Sequence, residues 1–245
     1  MQSTVQIWHL HLEPPQRRLA ELRALLATDE IERAERFHKP LHRTRFTAAR
    51  ALLRRILADL LGVAKPHSLV FRYGEHGKPA LELPPVGRSL HFSLSHSGSQ
   101  GLLAAGWGRR LGIDLEARRA ETEVEALAGR FFSPGEVTAL AALGEPGERR
   151  AAFFRAWTRK EAYIKALGTG VFQGLDSFDV SLAPGEPAAL LADRRQPEAP
   201  ARWAMTALPV ADGFEAALVV EAPMPTLEHW QWDWESMAGR RRSAP

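Results

Sequence analysis

Apolar positions along this chain fall first at strand spacing and then at helical spacing, and the sequence of elements repeats. Thr4 to Leu12 is rich in β-branched and aromatic residues with polar interruptions, which predicts a strand that Pro14 and Pro15 end. Gln16 to Ala27 carries Leu19, Leu22, Leu25 and Leu26 at helical spacing. Thr28 or Asp29 caps a second helix that runs to about Phe37, and Pro40 breaks it. The longest helix is expected over His42 to Leu61, with Phe46, Ala49, Leu53, Ile56, Leu57 and Leu60 on one stripe and Gly62 as its stop.

A strand-rich stretch follows. Leu69 to Tyr73 and Ala80 to Leu83 flank the loop from Gly74 to Pro79, a hairpin pattern. Leu90 to Ser95, Gly101 to Trp107 and Leu111 to Glu116 read as short successive strands of an antiparallel sheet. Helices return with Ser133 as N-cap and Pro134 at the first helical position. Gly144 to Gly147 is a break, and Glu148 to Leu167 forms a second long helix that Gly168 stops. Strands are expected near Phe178 to Leu182, Arg202 to Leu208 and Phe214 to Glu221, with the proline-rich Pro184 to Pro200 as loop. The recurrence predicts an α+β protein of two halves meeting near residue 110, spanning 1–110 and 111–245.

Composition narrows the picture. At 245 residues, 45% hydrophobic and 25% charged, the chain suits a globular fold with a substantial core. It contains no cysteine, which excludes disulfides, thiolate metal sites and cysteine nucleophiles. The first residues carry neither a basic leader nor a long apolar stretch, and no apolar run approaches the roughly 20 residues of a bilayer span. A cytoplasmic protein with no membrane partner is the expectation. Net charge is +3, but basic residues cluster between Arg33 and Arg55 and could meet a phosphorylated small molecule, an acidic protein or nucleic acid. Nucleic acid is not expected, because the tryptophans sit in amphipathic elements or at the chain's end rather than interleaved with basic residues. That end holds Trp230, Trp232 and Trp234 and then Arg240 to Arg242, and a flexible tail is expected from about residue 236.

The chemistry concentrates in a few segments. In Gly112-Ile113-Asp114-Leu115-Glu116 the two acids share one strand face, roughly 6–7 Å apart at about 3.3 Å per residue. Half-buried together they need a cation, and oxygen ligands suit Mg²⁺; on an exposed strand they are merely solvated. Trp157, Glu161 and Lys165 lie on one helical stripe, with Arg155, Arg159 and Lys160 crowding the other side. Glu161 and Lys165 are either a surface ion pair or part of a metal or catalytic site. His91 to Ser97 alternates polar residues and ends in Ser95-His96-Ser97. Adjacent strand residues face opposite ways, so Ser95 and His96 do not form a nucleophilic dyad, and phosphate binding fits them better. His9 and His11 share a strand face without a third ligand, and no P-loop or dinucleotide-binding glycine motif is present.

The order of these segments carries more than any one of them. Gly77-Lys78-Pro79, then Phe92-x-x-Ser95-His96-Ser97, then Gly112-Ile113-Asp114-x-Glu116, then Trp157-x-x-Lys160-Glu161-Ala162-x-x-Lys165-Ala166-x-Gly168 resembles the Sfp-type 4′-phosphopantetheinyl transferases over about residues 5 to 220. Arg36 to Lys39 and His42 to Thr44 resemble the first-half helices of that family. The resemblance implies two α+β halves related by a pseudo-twofold, each a small mostly antiparallel sheet packed with helices. It implies transfer of the 4′-phosphopantetheine arm of coenzyme A to a serine hydroxyl of an acidic apo acyl or peptidyl carrier protein, with adenosine 3′,5′-bisphosphate released. Asp114, Glu116 and Glu161 would hold Mg²⁺, with Glu161 or a metal-bound water as base. Lys165 would neutralise the pyrophosphate. Ser95, His96 and Lys78 would line the phosphate path, with Arg43 and Arg33 near the 3′-phosphate. A chain holding both halves is expected to act as a monomer. Two positions depart from the pattern: Ser93 stands where asparagine is common, and Glu30 where a basic residue can occur. The competing expectation is a non-catalytic carrier-protein or nucleotide-binding module, which the intact acidic set argues against.

Overall fold

A computed structural model describes residues 4–75, 77–82, 89–168 and 174–242. The chain runs through strand β1 (Thr4–His11), short helices α1 (Leu19–Arg23) and α2 (Thr28–Glu35), and the long helix α3 (Pro40–Leu61). The hairpin β2 (Phe71–Tyr73) and β3 (Pro79–Leu81) follows, then β4 (Leu90–Ser97) and β5 (Gln100–Trp107). Next come β6 (Leu111–Ala117), helices α4 (Val124–Phe131), α5 (Pro134–Ala141) and α6 (Pro146–Leu167), and hairpin strands β7 (Phe178–Val180) and β8 (Leu190–Asp193). Helix α7 (Ala199–Arg202), β9 (Trp203–Ala207), β10 (Phe214–Glu221), β11 (Thr226–Asp233) and β12 (Ala238–Arg241) complete the fold. His76 in the expected hairpin loop and Leu83, the expected end of its second strand, lie outside the described residues.

The long helices begin two residues earlier than their apolar stripes, because Pro40 and Pro146 each take the first helical position, where a missing N–H costs nothing. Each ends on a left-handed glycine, Gly62 and Gly168. Ser133 caps α5 as expected: its hydroxyl accepts from the Glu136 amide at 3.2 Å while Glu136 accepts from the Ser133 amide at 3.0 Å.

The expected mixed α+β architecture is present, with several small sheets. The large sheet has the order β12-β11-β1-β5-β4, and a second sheet the order β6-β10-β9. Strand β5 pairs antiparallel with β1 and β4, but β6 leaves that sheet to pair with β10. One face of the large sheet packs α3 through Leu10, Leu12, Leu52, Leu53 and Leu103. The other face lies on the second sheet, where Val5, Ile7 and Leu102 meet Ile113, Leu115 and Leu218. Strand β6 is therefore apolar on one side only. Its Asp114 and Glu116 side points to α6 and open space.

The chain's end differs from expectation. Residues expected as a flexible tail from about 236 instead supply β12, and β11 pairs parallel with β1, Trp8 opposite Trp230. Trp8 and Trp230 stack with ring centroids 5.2 Å apart, and Trp232 is buried beside them. Aromatic burial of this kind outweighs the charge of the arginines, which stay outside and pair with Asp233 and Glu228. The proline-rich 184–200 stretch, expected as loop, also contains β8 and α7.

Candidate functional site

Strand β6 approaches helix α6 unusually closely, and one glycine permits it. A Cβ on Gly112 would collide with the Ala162 carbonyl oxygen and the Ala166 amide nitrogen. With strand and helix in contact, Asp114 and Glu116 lie beside the Glu161 and Lys165 stripe. Asp114 is 2% exposed, and its Oδ1 accepts from Lys165 Nζ at 2.6 Å and from the Ser95 hydroxyl at 2.7 Å. Its other oxygen, Oδ2, is buried and has no hydrogen-bond partner. Glu116 Oε2 accepts from the Ser97 hydroxyl at 2.9 Å. A pocket of about 420 Å³ joins Asp114, Glu116, Glu161, Lys165 and Trp157.

The charges in this pocket do not balance. Burial pushes the Glu161 carboxyl above the usual carboxylate range, and the Asp114 charge beside it adds to the effect. Burial and Asp114 act on Glu116 in the same direction, against its bond from Ser97 and the nearby Lys165. Three carboxylates thus face one lysine, with an orphaned buried oxygen among them. That donor set fits a hard divalent cation, which takes oxygen ligands and would relieve both the orphan and the repulsion. Among the described residues no three such groups are already drawn together as ligands, so a cation would have to gather them.

Beside this pocket opens a cleft of about 840 Å³, sharing Glu116, Glu161 and Lys165 with it. Phe37, Phe46 and Phe92 line its apolar part, and Arg33, Arg45, Arg50 and Arg119 bring positive charge. Lys78 reaches strand β6: its Nζ donates to the Leu111 carbonyl at 3.0 Å. Burial, with Arg110 nearby, pushes the Lys78 ammonium down to about 8. His96 also opens on the cleft, where desolvation, Lys165 and Arg45 hold its imidazole below the ordinary range.

The structure brings the expected residues together at these two cavities, except Arg43. Asp114, Glu116, Glu161, Lys165, Lys78, His96 and Arg33 line one or both cavities. Ser95 lines the smaller pocket rather than the large cleft: it donates to Asp114 and accepts from the Leu115 amide at 3.3 Å and Lys165 at 3.1 Å. Those three bonds fill a hydroxyl's capacity. Arg43 does not line the cleft, and its guanidinium donates to the Phe37 carbonyl at 3.1 Å. Arg45 and Arg50, of the same basic cluster between Arg33 and Arg55, line it instead. The helical series His42, Arg45, Phe46, Ala49, Arg50, Leu53 holds the signal that finds them, since Arg43 falls off that stripe.

The departure at Glu30 also has a physical account. Glu30 is buried, bonds Arg54 Nε at 2.5 Å and Arg50 Nε at 2.6 Å, and accepts from the Ala27 amide at 3.1 Å. It therefore pins Arg50 at the cleft wall.

A cationic cleft flanked by an acidic cluster and a lysine suits an anionic substrate, and comparison with known proteins makes the class of enzyme specific. Residues 110–219 match the 4′-phosphopantetheinyl transferase superfamily, and residues 11–108 match the 4′-phosphopantetheinyl transferase N-terminal family. The chain is 41% identical over 220 residues to the 4′-phosphopantetheinyl transferase HetI of Nostoc sp. (strain PCC 7120), covering 90% of this chain and 89% of that protein. It is 32% identical over 200 residues to the 4′-phosphopantetheinyl transferase psf-1 of Bacillus pumilus, covering 79% and 82%. It is 39% identical over 171 residues to a putative 4′-phosphopantetheinyl transferase of Synechocystis sp. (strain PCC 6803), covering 70% and 68%. The chain belongs to the 4′-phosphopantetheinyl transferase superfamily and is a 4′-phosphopantetheinyl transferase.

Proposed function

We propose that this transferase takes the 4′-phosphopantetheine arm from coenzyme A, passes it to a serine hydroxyl of an acidic apo acyl or peptidyl carrier protein, and releases adenosine 3′,5′-bisphosphate. The observation that carries this reading is the orphaned Asp114 Oδ2, on the carboxylate that Lys165 bonds, in a pocket adjoining a cationic cleft of about 840 Å³. Phosphoryl transfer needs positioning and charge neutralisation more than covalent help. Asp114, Glu116 and Glu161 would hold Mg²⁺, which supplies Lewis-acid neutralisation of the pyrophosphate. Lys165 and Lys78 would bind and orient the pyrophosphate oxygens, with His96 donating beside them. Arg33 would meet the adenosine 3′-phosphate, with Arg43 farther out at the rim. Glu161 is the group we assign to accept the serine proton.

The repeated element order supports the two-halves reading. Each half runs strand, long helix, two-stranded hairpin, antiparallel pair, and the sheet orders β1-β5-β4 and β6-β10-β9 correspond. We take the halves, divided near residue 110, as a pseudo-twofold pair with the cleft between them. A single chain then builds one whole site, which supports a monomer. No helix among the described residues is long and apolar enough to cross a membrane, in keeping with a cytoplasmic role.

Incubation with coenzyme A, Mg²⁺ and apo carriers of fatty-acid, polyketide and non-ribosomal peptide type tests the proposal by intact mass. A carrier gaining one phosphopantetheine supports it; no gain on any class refutes it.

A further inference from the structure

Among the described residues strand β6 is paired on one edge only. Its ladder partner is β10, and the other edge faces β4 without a backbone ladder. A buried edge N–H left unpaired is costly, so the question is where those amides go. Three serines answer it. The Ile113 amide donates to Ser93 Oγ at 3.2 Å, the Leu115 amide to Ser95 Oγ at 3.3 Å, and the Ala117 amide to Ser97 Oγ at 3.1 Å. The polar alternation along β4 is thus a seam: hydroxyls at every second residue stand in for backbone carbonyls and join the two sheets. All three serines are buried.

The seam has a chemical consequence at two of its rungs. A serine hydroxyl carries a single proton to donate. Once its lone pairs face a β6 amide, that proton is free for a neighbour on the acidic face. At Ser95 it goes to Asp114 Oδ1 at 2.7 Å, and at Ser97 to Glu116 Oε2 at 2.9 Å. Each hydroxyl therefore ties a carboxylate to the backbone of the residue that follows it. Ser93 faces Gly112, which has no side chain, so its rung fastens the strands without holding an acid.

We propose that Ser97 is a positioning residue for Glu116, and that the Ser95 and Ser97 rungs hold both strand carboxylates in the orientation that a divalent cation needs. The inference rests on the reading of Asp114 and Glu116 as cation ligands. It gives the second serine of the Ser-His-Ser segment a role in the cation site rather than at the cofactor phosphates. Ser97 separates the two roles better than Ser95, which also touches Lys165.

The test is Mn²⁺ titration of the full chain by calorimetry or electron paramagnetic resonance, with no coenzyme A or carrier present. Ser97→Ala is expected to weaken Mn²⁺ about tenfold, and Ser97→Thr, which keeps the hydroxyl, to stay within about threefold of the parent. Ser93→Ala removes an equivalent rung with no carboxylate attached, and should leave Mn²⁺ affinity unchanged. Coenzyme A affinity, measured in chelator, should not move in Ser97→Ala. Unchanged Mn²⁺ affinity in Ser97→Ala overturns the proposal, and so does an equal loss in Ser93→Ala, which would mean general loosening. A loss confined to coenzyme A affinity also overturns it, by assigning the hydroxyl to the cofactor. Asp114→Ala distinguishes the underlying reading: if Mn²⁺ binding survives that change, the cation is held elsewhere. Should Ser97→Ala not fold, Ser97→Cys fills the same space with a much weaker donor and is read by the same criteria.

Discussion

Helix α6 carries two lysine–carboxylate pairs, Lys160 with Glu136 and Lys165 with Asp114, and their surroundings differ in one respect. Lys160 Nζ lies 2.7 Å from Glu136 Oε2, with the side chains 0% and 4% exposed. It also donates to the Leu175 and Phe178 carbonyls at 2.8 and 2.6 Å, and Glu136 accepts from the Val180 and Ser133 amides. Every strong partner is supplied from within the fold. Lys165 lies 2.6 Å from Asp114 and is 29% exposed, yet Asp114 Oδ2 is buried with no partner and two more carboxylates crowd it. The closed pair fastens α5, α6 and β7 together. The open pair is kept incomplete, and an incomplete buried charge cluster is where a protein stores readiness to bind.

That contrast can be broken by substitution. Lys160→Ala leaves Glu136 buried and unpaired, and is expected to destabilise the fold by about 3–5 kcal/mol in denaturant unfolding. Lys165→Ala is expected to cost less, about 1–3 kcal/mol, because Asp114 stays buried but Lys165 itself is partly exposed, while lowering the transfer rate about 10²- to 10³-fold. The reverse pattern would exchange the roles of the two pairs. Gly112→Ala strikes the contact that brings β6 to α6. Overpacking there is expected to cost about 1–3 kcal/mol and to lower transfer beyond what the lost stability explains.

Smaller effects sharpen the cleft side. Lys78 is pushed down to about 8, so its charge is present below that pH and is lost as pH rises through it. Coenzyme A affinity should therefore fall from about pH 7 to pH 9, and Lys78→Arg should flatten the fall; an equal slope in both proteins removes Lys78 from the phosphate path. Arg33→Ala is expected to raise KM for coenzyme A about tenfold, and Arg43→Ala about twofold, since only the first lines the cleft.

How much of this was legible beforehand follows from the range of each interaction. The long helices, the Ser133 cap and the shared face of Asp114 and Glu116 rest on local periodicity, and they appear as read. The return of β11 to β1 depends on pairing Trp230 with Trp8 across nearly the whole chain, and no local pattern encodes that partner. The basic helix face was visible but its direction was not: Arg45 and Arg50 turn into the cleft while Arg43 bonds a carbonyl. Lys160 and Arg159 read as crowded cations. Buried carbonyls on the following loop and strands, Leu175, Phe178 and Ser181, make them fasteners instead. The serine alternation on β4 was plain, but its purpose required knowing that β6 has an unpaired edge.

The most direct test replaces the orphaned carboxylate itself. Asp114→Asn keeps size and shape, so an apo carrier incubated with coenzyme A and Mg²⁺ should gain phosphopantetheine about 10³-fold more slowly than with the parent enzyme, at an unchanged melting temperature. Transfer by Asp114→Asn within a few-fold of the parent would contradict the assignment of this cluster as the catalytic centre.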